Sequence, residues 1–457
     1  MSNKPYPHSN PPASITQRRL LGQAEKMVWL LDSQCSWNFL VHARVRGPLD
    51  RRVLEQALVL AARRHPLVLA CIRRKGFSGA AFEISGHGNI PVRQVDGGLQ
   101  EVESEAQAGL NARFDTENGP LARLVLVRHS PELCTILAVF HHAIGDALGG
   151  VFFLQDLIAC CVDVLNGTPV LPQPPPLAAP LESRLPQQAR GTAGLWGGMR
   201  FLAGLAAQRR AMGKGTLPDI RQKAGPRQRT ARLFMQEISP DLCAGLRQKT
   251  RQENTTVHGA LAAACMAALA DGNTGGALPF YIASDVDLRS RLCPPAGRDM
   301  GFFITGVLTA SRYQEQTGFW NAARQIVLSL RRSLDQGEHL YGVRMIQATD
   351  RLLGLAGAGG PGAWLYSRYT DALNPGMLVL SNIGNVRVET GAPFFTVDKL
   401  GFASSLSSTA SFGLHAACCQ GTLSLNFVGM EPLHGPETLS KLAAQAVGQL
   451  TRHAQAL

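Results

Sequence analysis

The residues with the clearest potential for chemistry form one short segment, which runs from His141 through His142 and Gly145 to Asp146. Twelve histidines in 457 residues give about 0.3 adjacent pairs by chance, and requiring an Asp four positions later lowers this to about 0.02. An imidazole with the ordinary pKa of about 6.5 can take a proton from a hydroxyl or an amine at neutral pH. We therefore predict that this segment supplies a general base.

The two histidines are predicted to differ in role, because successive side chains of a strand point to opposite faces. We assign the general base to His142 and a structural place in the core to His141. Asp146 is predicted to support the turn, either as the N-cap of the following helix or by pairing with an arginine. No G-x-S-x-G motif is present, so direct transfer without a covalent enzyme intermediate is the simpler mechanism.

The elements that must hold this segment are a buried strand before it and a helix after it. Residues 134–140 are almost wholly apolar, which predicts a central strand, and residues 121–127 would pair with it as a hairpin. A helix is predicted over residues 147–165. Residues 38–46 and 67–72 are further strand candidates.

Length and composition predict two lobes, since 457 residues with 45% hydrophobic content exceed one ordinary core. Strands and helices interleave in both halves, which indicates an α/β fold. Six prolines between residues 166 and 180 mark the boundary. The predicted organisation is listed in chain order: a disordered N-terminus over 1–15, an N-terminal lobe over 16–165, a Pro-rich linker over 166–190 and a C-terminal lobe over 191–457.

Cysteine usage and net charge indicate the cellular compartment and the class of binding partner. The ten cysteines follow no metal-ligand spacing, and several lie in apolar runs, so we expect buried thiols, no metal and a cytoplasmic location. The first residues lack the apolar core of a secretion signal. A net charge of +12 favours acidic partners, but aromatic residues make up only 6% and no nucleic-acid-binding motif is present, so nucleic acid is not expected.

Two basic segments leave alternatives open. Residues 195–212 combine Leu, Trp, Phe and Gly with Arg209 and Arg210, which is typical either of a helix packed on the second lobe or of one that contacts lipid or an apolar partner. Residues 221–232 form a solvated basic loop or an anion-binding patch. Peripheral contact with a membrane is therefore one expectation.

The segment from His141 to Asp146 resembles the HHxxxD signature of the chloramphenicol-acetyltransferase-like superfamily, which includes condensation domains, polyketide-associated acyltransferases and alcohol acetyltransferases. Four other stretches resemble motifs of this superfamily and follow in the expected order. They are Arg63-Arg64-His65-Pro66-Leu67, the FD…GPLxR-like residues 114–123, the D-x-R-x-R-L-like residues 285–292 with Gly301-Phe302-Phe303, and the SNxG-like residues 381–384.

This resemblance implies an α/β protein of two chloramphenicol-acetyltransferase-like lobes that form a V with a channel between them. It implies that His142 is the base, that Arg289 pairs with Asp146, and that Gly145, Ser381 or Asn382 contacts an oxyanion or the acceptor. The donor would be acyl-CoA or a phosphopantetheinyl acyl carrier protein, with no permanently bound cofactor. The acceptor would be a small-molecule or lipid hydroxyl. The alternatives are an amide-forming condensation enzyme and a non-catalytic relative that binds carrier proteins.

Overall fold

The computed structural model describes residues 15–86, 89–353, 357, 359–373, 376–388, 394–406 and 410–455. Over these residues the chain forms fourteen strands in three sheets, together with eleven α-helices. The predicted disorder of residues 1–14 lies outside the described residues, and Ile15 already begins a strand. The α/β class predicted from the alternation of strands and helices is confirmed.

The first half of the chain builds most of a five-stranded sheet with the order β12-β2-β7-β6-β5. Its strands are β2 (Asn38–Arg46), β5 (Val92–Asp96), β6 (Ala122–Ser130), β7 (Leu133–His141) and β12 (Thr396–Ser404). The predicted hairpin is confirmed, because β6 and β7 pair in antiparallel register. β7 lies in the middle of the sheet and is buried from Cys134 to His141, which is why its sequence is so apolar.

Four helices and a small second sheet surround this sheet. The helices are α1 (Gln23–Asp32), α2 (Arg51–Arg64), α3 (Leu99–Asn111) and α4 (Ala147–Leu165). The small sheet has the order β1-β4-β3, with strands Ile15–Leu20, Gly79–Gly86 and Cys71–Lys75. Of the helices that the structure describes, α4 alone is long and apolar enough to cross a membrane, but more than half of it is buried inside the protein.

The second half of the chain builds a six-stranded sheet with the order β10-β9-β11-β13-β14-β8. Its strands are β8 (Thr230–Ile238), β9 (Leu278–Asp287), β10 (Ile304–Tyr313), β11 (Met377–Asn385), β13 (Phe412–Cys419) and β14 (Thr422–Glu431). Its helices are α5 (Gly191–Met212), α6 (Pro240–Gln252), α7 (Val257–Leu269), α8 (Phe319–Asp335), α9 (Glu338–Leu353), α10 (Gly360–Leu373) and α11 (Pro436–Gln455).

One strand crosses between the two halves, so the sheets do not divide at residues 166–190. β12 follows β11 in the chain but pairs in antiparallel register with β2, from Thr396 opposite Arg46 to Ser404 opposite Phe39. Asp398 on β12 also forms ion pairs of 2.7 Å with Arg44 and 2.9 Å with Arg46. Because β12 completes the first sheet, the contiguous C-terminal lobe predicted over 191–457 needs this correction.

A second correction concerns the strand predicted over residues 67–72. Residues Pro66–Leu69 form a 3₁₀ helix instead, and the strand begins only at Cys71. Proline is favoured in a first helical turn because its φ is already close to the helical value. Apolar residues alone could not distinguish this buried turn from a buried strand.

Candidate active site

The segment from His141 to Asp146 links β7 to α4 through a tight turn. β7 ends at His141, residues His142–Ile144 form a 3₁₀ turn that packs against α1, and Asp146 caps α4. A Cβ atom on Gly145 would lie 2.8 Å from the Met300 methyl and 3.4 Å from the Phe39 ring. A side chain at this position would therefore have to displace the end of the Met300 side chain.

His142 is held in one tautomer by this turn. Its Nδ1 lies 2.8 Å from the Gly145 carbonyl oxygen, which can only accept, so Nδ1 carries the proton and Nε2 keeps its lone pair. The ring lies against Phe39 at 4.9 Å and Phe302 at 5.4 Å between centroids, and 8% of the residue is exposed. Burial lowers the pKa of His142 below the ordinary value. The imidazole is therefore neutral at pH 7 and its Nε2 can accept a proton.

His141 points away from the His142 ring and is fully buried. Its Nδ1 accepts a hydrogen bond of 3.1 Å from the Ala143 amide, and its Nε2 lies 3.6 Å from a carboxylate oxygen of Asp32. Burial alone would raise the pKa of Asp32, but His141 and a hydrogen bond from the Trp37 amide outweigh burial and lower it. These contacts tie the turn to α1.

Asp146 combines the two structural arrangements considered from the sequence. Its carboxylate accepts the Gly149 amide at 3.0 Å as a helix cap, and the Phe303 amide at 2.9 Å. Both terminal nitrogens of the Arg289 guanidinium also lie 2.9 Å from its two oxygens. Asp146 is fully buried and Arg289 is nearly so. This bidentate pair joins the turn to the segment that follows β9.

A cavity opens beside His142, and both halves of the chain line it. The lining residues of the first half are Phe39, His142, Ala147 and Leu148, and those of the second half are Asp285, Asp287, Ile304, Ser381, Asn382, Ile383, Phe402, Ser404 and His415. These residues include two carboxylates and no lysine or arginine, although the whole chain carries a net charge of +12. The cavity can therefore hold a neutral or positively charged group beside the base.

The SNxG-like loop enters this cavity, but its two polar side chains are engaged differently. The Ser381 hydroxyl donates to the Asp285 carboxylate on the neighbouring strand. Asn382 accepts the Gly384 amide at 2.9 Å through its Oδ1, which leaves its Nδ2 hydrogens to other acceptors. Gly145 does not line the cavity, and its carbonyl is occupied by His142. Of these three predicted contacts, Asn382 is the best placed to donate.

Besides Asp287, which pairs with Arg289, three polar residues of the cavity had no role assigned from the sequence. Burial raises the pKa of Asp285 to about 6, and the negative charge of Asp146 adds to this. On the crossing strand, Ser404 Oγ lies 2.8 Å from Nε2 of His415. Burial lowers the pKa of His415 to about 4, so this histidine is neutral. For His415, the available signal in the sequence was a histidine within the apolar strand FGLHAACC.

None of the cysteines lines this cavity. The ten cysteines all lie within the described residues and form no disulfide bond, and all except Cys293 are buried. In the part of the chain that the structure describes, no three His, Cys, Asp or Glu side chains approach closely enough to hold a metal ion.

Sequence comparison connects the second half of the chain to a transferase family. Residues 228–398 match the family described as "Phthiocerol/phthiodiolone dimycocerosyl transferase C-terminus". A hybrid PKS-NRPS synthetase, iliA of Neonectria sp. (strain DH2), is 26% identical over 159 residues. This match spans 33% of the chain but only 4% of the synthetase.

Comparison with solved structures covers almost the whole chain. The TRI3 trichothecene 15-O-acetyltransferase from Fusarium sporotrichioides superposes with a TM-score of 0.72 at 14% identity, over 95% of each chain. The first condensation domain of the calcium-dependent antibiotic synthetase gives a TM-score of 0.69 at 15% identity, over 97% of each chain. The family match and the shared fold confirm the resemblance: the chain has the two-lobed fold of the chloramphenicol-acetyltransferase-like superfamily of acyltransferases and condensation domains.

Proposed function

We propose that this protein transfers an acyl group from a CoA or carrier-protein thioester to a hydroxyl group and forms an ester, in secondary-metabolite or lipid biosynthesis in the cytoplasm. The observation that carries this proposal is the state of His142. Its Nδ1 proton is held by the Gly145 carbonyl, its lowered pKa keeps the ring neutral, and the ring lines a cavity. A neutral imidazole with a free Nε2 is suited to activate a hydroxyl.

The proposed reaction requires one proton acceptor and no covalent intermediate on the protein. Nε2 of His142 takes the proton of the acceptor hydroxyl as its oxygen attacks the thioester carbonyl, and a tetrahedral oxyanion forms. When this intermediate collapses, the carbon–sulfur bond breaks and the imidazolium returns its proton to the departing thiolate. The products are an ester and a free thiol, and His142 is again neutral.

The oxyanion needs a hydrogen-bond donor that is in place before the reaction begins. We assign this role to the Nδ2 group of Asn382, because the Gly384 amide already fixes the other end of its carboxamide. Ser381 serves instead to hold Asp285, since its hydroxyl is donated to that carboxylate. Asp146 and Arg289 maintain the turn that aims His142 and take no part in proton transfer.

The choice of a hydroxyl acceptor rests on the relatives. The family model is named for a dimycocerosyl transferase, and one structural neighbour is an O-acetyltransferase. The synthetase relative and the condensation domain support amide formation as the alternative, and the uncompensated Asp285 in the cavity would suit an amine acceptor. A non-catalytic carrier-binding relative would not need the aligned His142.

The proposal is tested by following thiol release from acyl-CoA and acyl-carrier thioesters with matched panels of alcohols and amines. We expect turnover with alcohols, an acylated product that alkaline hydroxylamine cleaves, and loss of turnover in the His142→Ala variant. A product that resists hydroxylamine would indicate an amide. Absence of His142-dependent thiol release with every acceptor would contradict the proposal and favour the non-catalytic alternative.

A further inference from the structure

Helix α5 presents a large apolar surface to solvent. Leu195, Trp196, Met199 and Leu202 are 60%, 66%, 43% and 44% exposed. Positions 195, 199 and 202 repeat at helical spacing and share one face, and Trp196 lies beside them. Side chains of this size are expensive to leave in water, so a contiguous exposed set indicates an interaction surface.

The opposite side of α5 is anchored to the protein. The helix packs on α9, and a Cβ atom on Gly197 would overlap the Tyr341 ring. Gly194 and Gly197 are both buried, so glycines lie on the inner face of the first two turns of the helix. The exposed apolar side chains are therefore held outward by a packed helix.

The electrostatic character of this region is uniformly basic. Residues 183–218 contain no Asp or Glu, whereas α5 and its flanks carry Arg190, Arg200, Arg209, Arg210 and Lys214. Arg200, Arg209, Arg210 and Lys214 are exposed, and none of them forms an ion pair with an acidic residue in the described ranges. Positive charge beside exposed Leu and Trp is the combination that binds the interface of an anionic membrane.

We infer that α5 docks the protein on an anionic lipid surface, with Leu195, Trp196, Met199 and Leu202 inserted between the head groups. Arg209 and Arg210 then contact lipid phosphates at the C-terminal end of the helix. A second copy of this chain would bring one all-basic surface against another, so self-association through α5 is disfavoured by charge. The docking surface needs no turnover and stands independently of the proposed reaction.

Vesicle co-sedimentation with the full chain tests this inference. We expect binding to phosphatidylcholine vesicles that contain 30 mol % phosphatidylglycerol, weak binding to pure phosphatidylcholine, and release by 0.5 M salt. Trp196→Ser combined with Leu202→Ser should weaken binding at least about tenfold, because it removes inserted apolar surface. Arg209→Gln combined with Arg210→Gln should weaken binding by roughly tenfold or more, because each cation attracts anionic lipid.

Matched controls distinguish insertion of α5 into the membrane from nonspecific hydrophobic binding and from nonspecific electrostatic binding. Trp364→Ser with Leu328→Ser changes a tryptophan and a leucine of similar exposure elsewhere, and Arg51→Gln with Arg52→Gln removes the same charge from α2. Both controls should bind vesicles as the unsubstituted protein does. Brominated acyl chains should quench the unsubstituted protein more strongly than the Trp196→Phe variant.

Three results would overturn the inference. The first is failure of the folded, unsubstituted protein to bind the anionic vesicles at 0.1 M salt. The second is equal loss of binding in the α5 variants and their controls. The third is an unsubstituted dimer that Trp196→Ser with Leu202→Ser converts to a monomer, since a second copy would then cover this helix.

Discussion

The two walls of the cavity are built in different ways. The wall from the first half comes largely from one continuous turn between β7 and α4, where His142, its partner Gly145 and the brace Asp146 lie within five residues. The wall from the second half collects Asp285 on β9, Ser381 and Asn382 on β11, and His415 on β13. Neighbouring strands of the sheet bring these residues together from distant parts of the chain.

This difference indicates a division of labour. A proton acceptor must keep one tautomer and one orientation, which a short turn with local hydrogen bonds provides. Groups that stabilise charge or select an acceptor must surround it from another side, which a second sheet provides. The buried pair between Asp146 and Arg289 connects the two walls. Substitutions can therefore be directed at the first wall, at the second wall or at this connection.

The largest effect on catalysis is expected from the first wall. His142→Ala should lower kcat/KM by about 10²–10⁴-fold, because it removes the proton acceptor. Since burial lowers the pKa of His142, the acid limb of the pH profile of kcat/KM should have an apparent pKa below the ordinary histidine range. Steady-state thiol release measured as a function of pH checks the loss of kcat/KM and the position of this limb. His415→Ala is the comparison, and an equal loss in that variant would contradict the assignment of the base to the first wall.

Substitutions of the ion pair between the walls should lower the stability of the folded protein. Arg289→Ala and Asp146→Ala should each lower the free energy of unfolding by about 3–5 kcal/mol, because each removes one member of a buried, bidentate ion pair. Urea denaturation at pH 7 measures this. Arg298→Ala removes an ion pair between the half-exposed Arg298 and Asp156 and should cost less than about 1 kcal/mol. If only one member of the buried pair matters, the bridge does not act as described.

In the second wall, substitutions of the neighbouring residues Asn382 and Ser381 should have different effects on kcat. Asn382→Ala should lower kcat by about 10²–10³-fold with little change in KM, because it removes a donor needed in the transition state. Ser381→Ala should lower kcat by less than about tenfold, because its hydroxyl is already donated to Asp285. Parallel kinetics on the two variants decide the assignment. A larger loss with Ser381→Ala would reverse their roles.

The smallest expected effect concerns Asp285 and pH. Its pKa of about 6 lies above the unfolded value of 3.8, so the folded state binds the proton more tightly. This contribution to stability is fully present below pH 4 and is lost as pH rises through 6. Asp285→Asn should therefore be more stable than the unsubstituted protein by about 1–3 kcal/mol at pH 7.

Urea denaturation at pH 4 and pH 7 checks this prediction. At pH 4 the difference between Asp285→Asn and the unsubstituted protein should nearly vanish, because both side chains are then largely neutral. A difference that is equal at the two pH values would show that the carboxyl group is not perturbed by the cavity. Asp287→Asn is the control, since Asp287 is paired with Arg289 at 3.0 Å.

Parts of the fold followed from local patterns, and others did not. The central strand, the hairpin and the helix over residues 147–165 were predicted correctly, because each has a hydrophobic period or a clear turn within a few residues. The crossing of β12 was missed, since pairing with β2 depends on a register between segments far apart in sequence. Its own residues, TVDKLGFAS, indicate a strand but not a partner.

The same limit applies to the cavity. Arg289 was named through a family resemblance, and the structure places it against Asp146. Asp285, Ser404 and His415 had no assigned role, because a single polar residue in a strand does not show which cavity it faces. Their proximity arises only when three strands of two sheets come together.

The sequence alone therefore indicated which turn carries the candidate base, because His142 and Gly145, and Asp146 and the helix that it caps, interact across short stretches of backbone. It also determined the α/β class and the basic character of the chain. The tertiary structure decided what surrounds His142 and how Arg289 meets Asp146. Sheet register, strand crossing and burial set those contacts and shift the pKa of Asp285, and each depends on residues that are remote in the sequence.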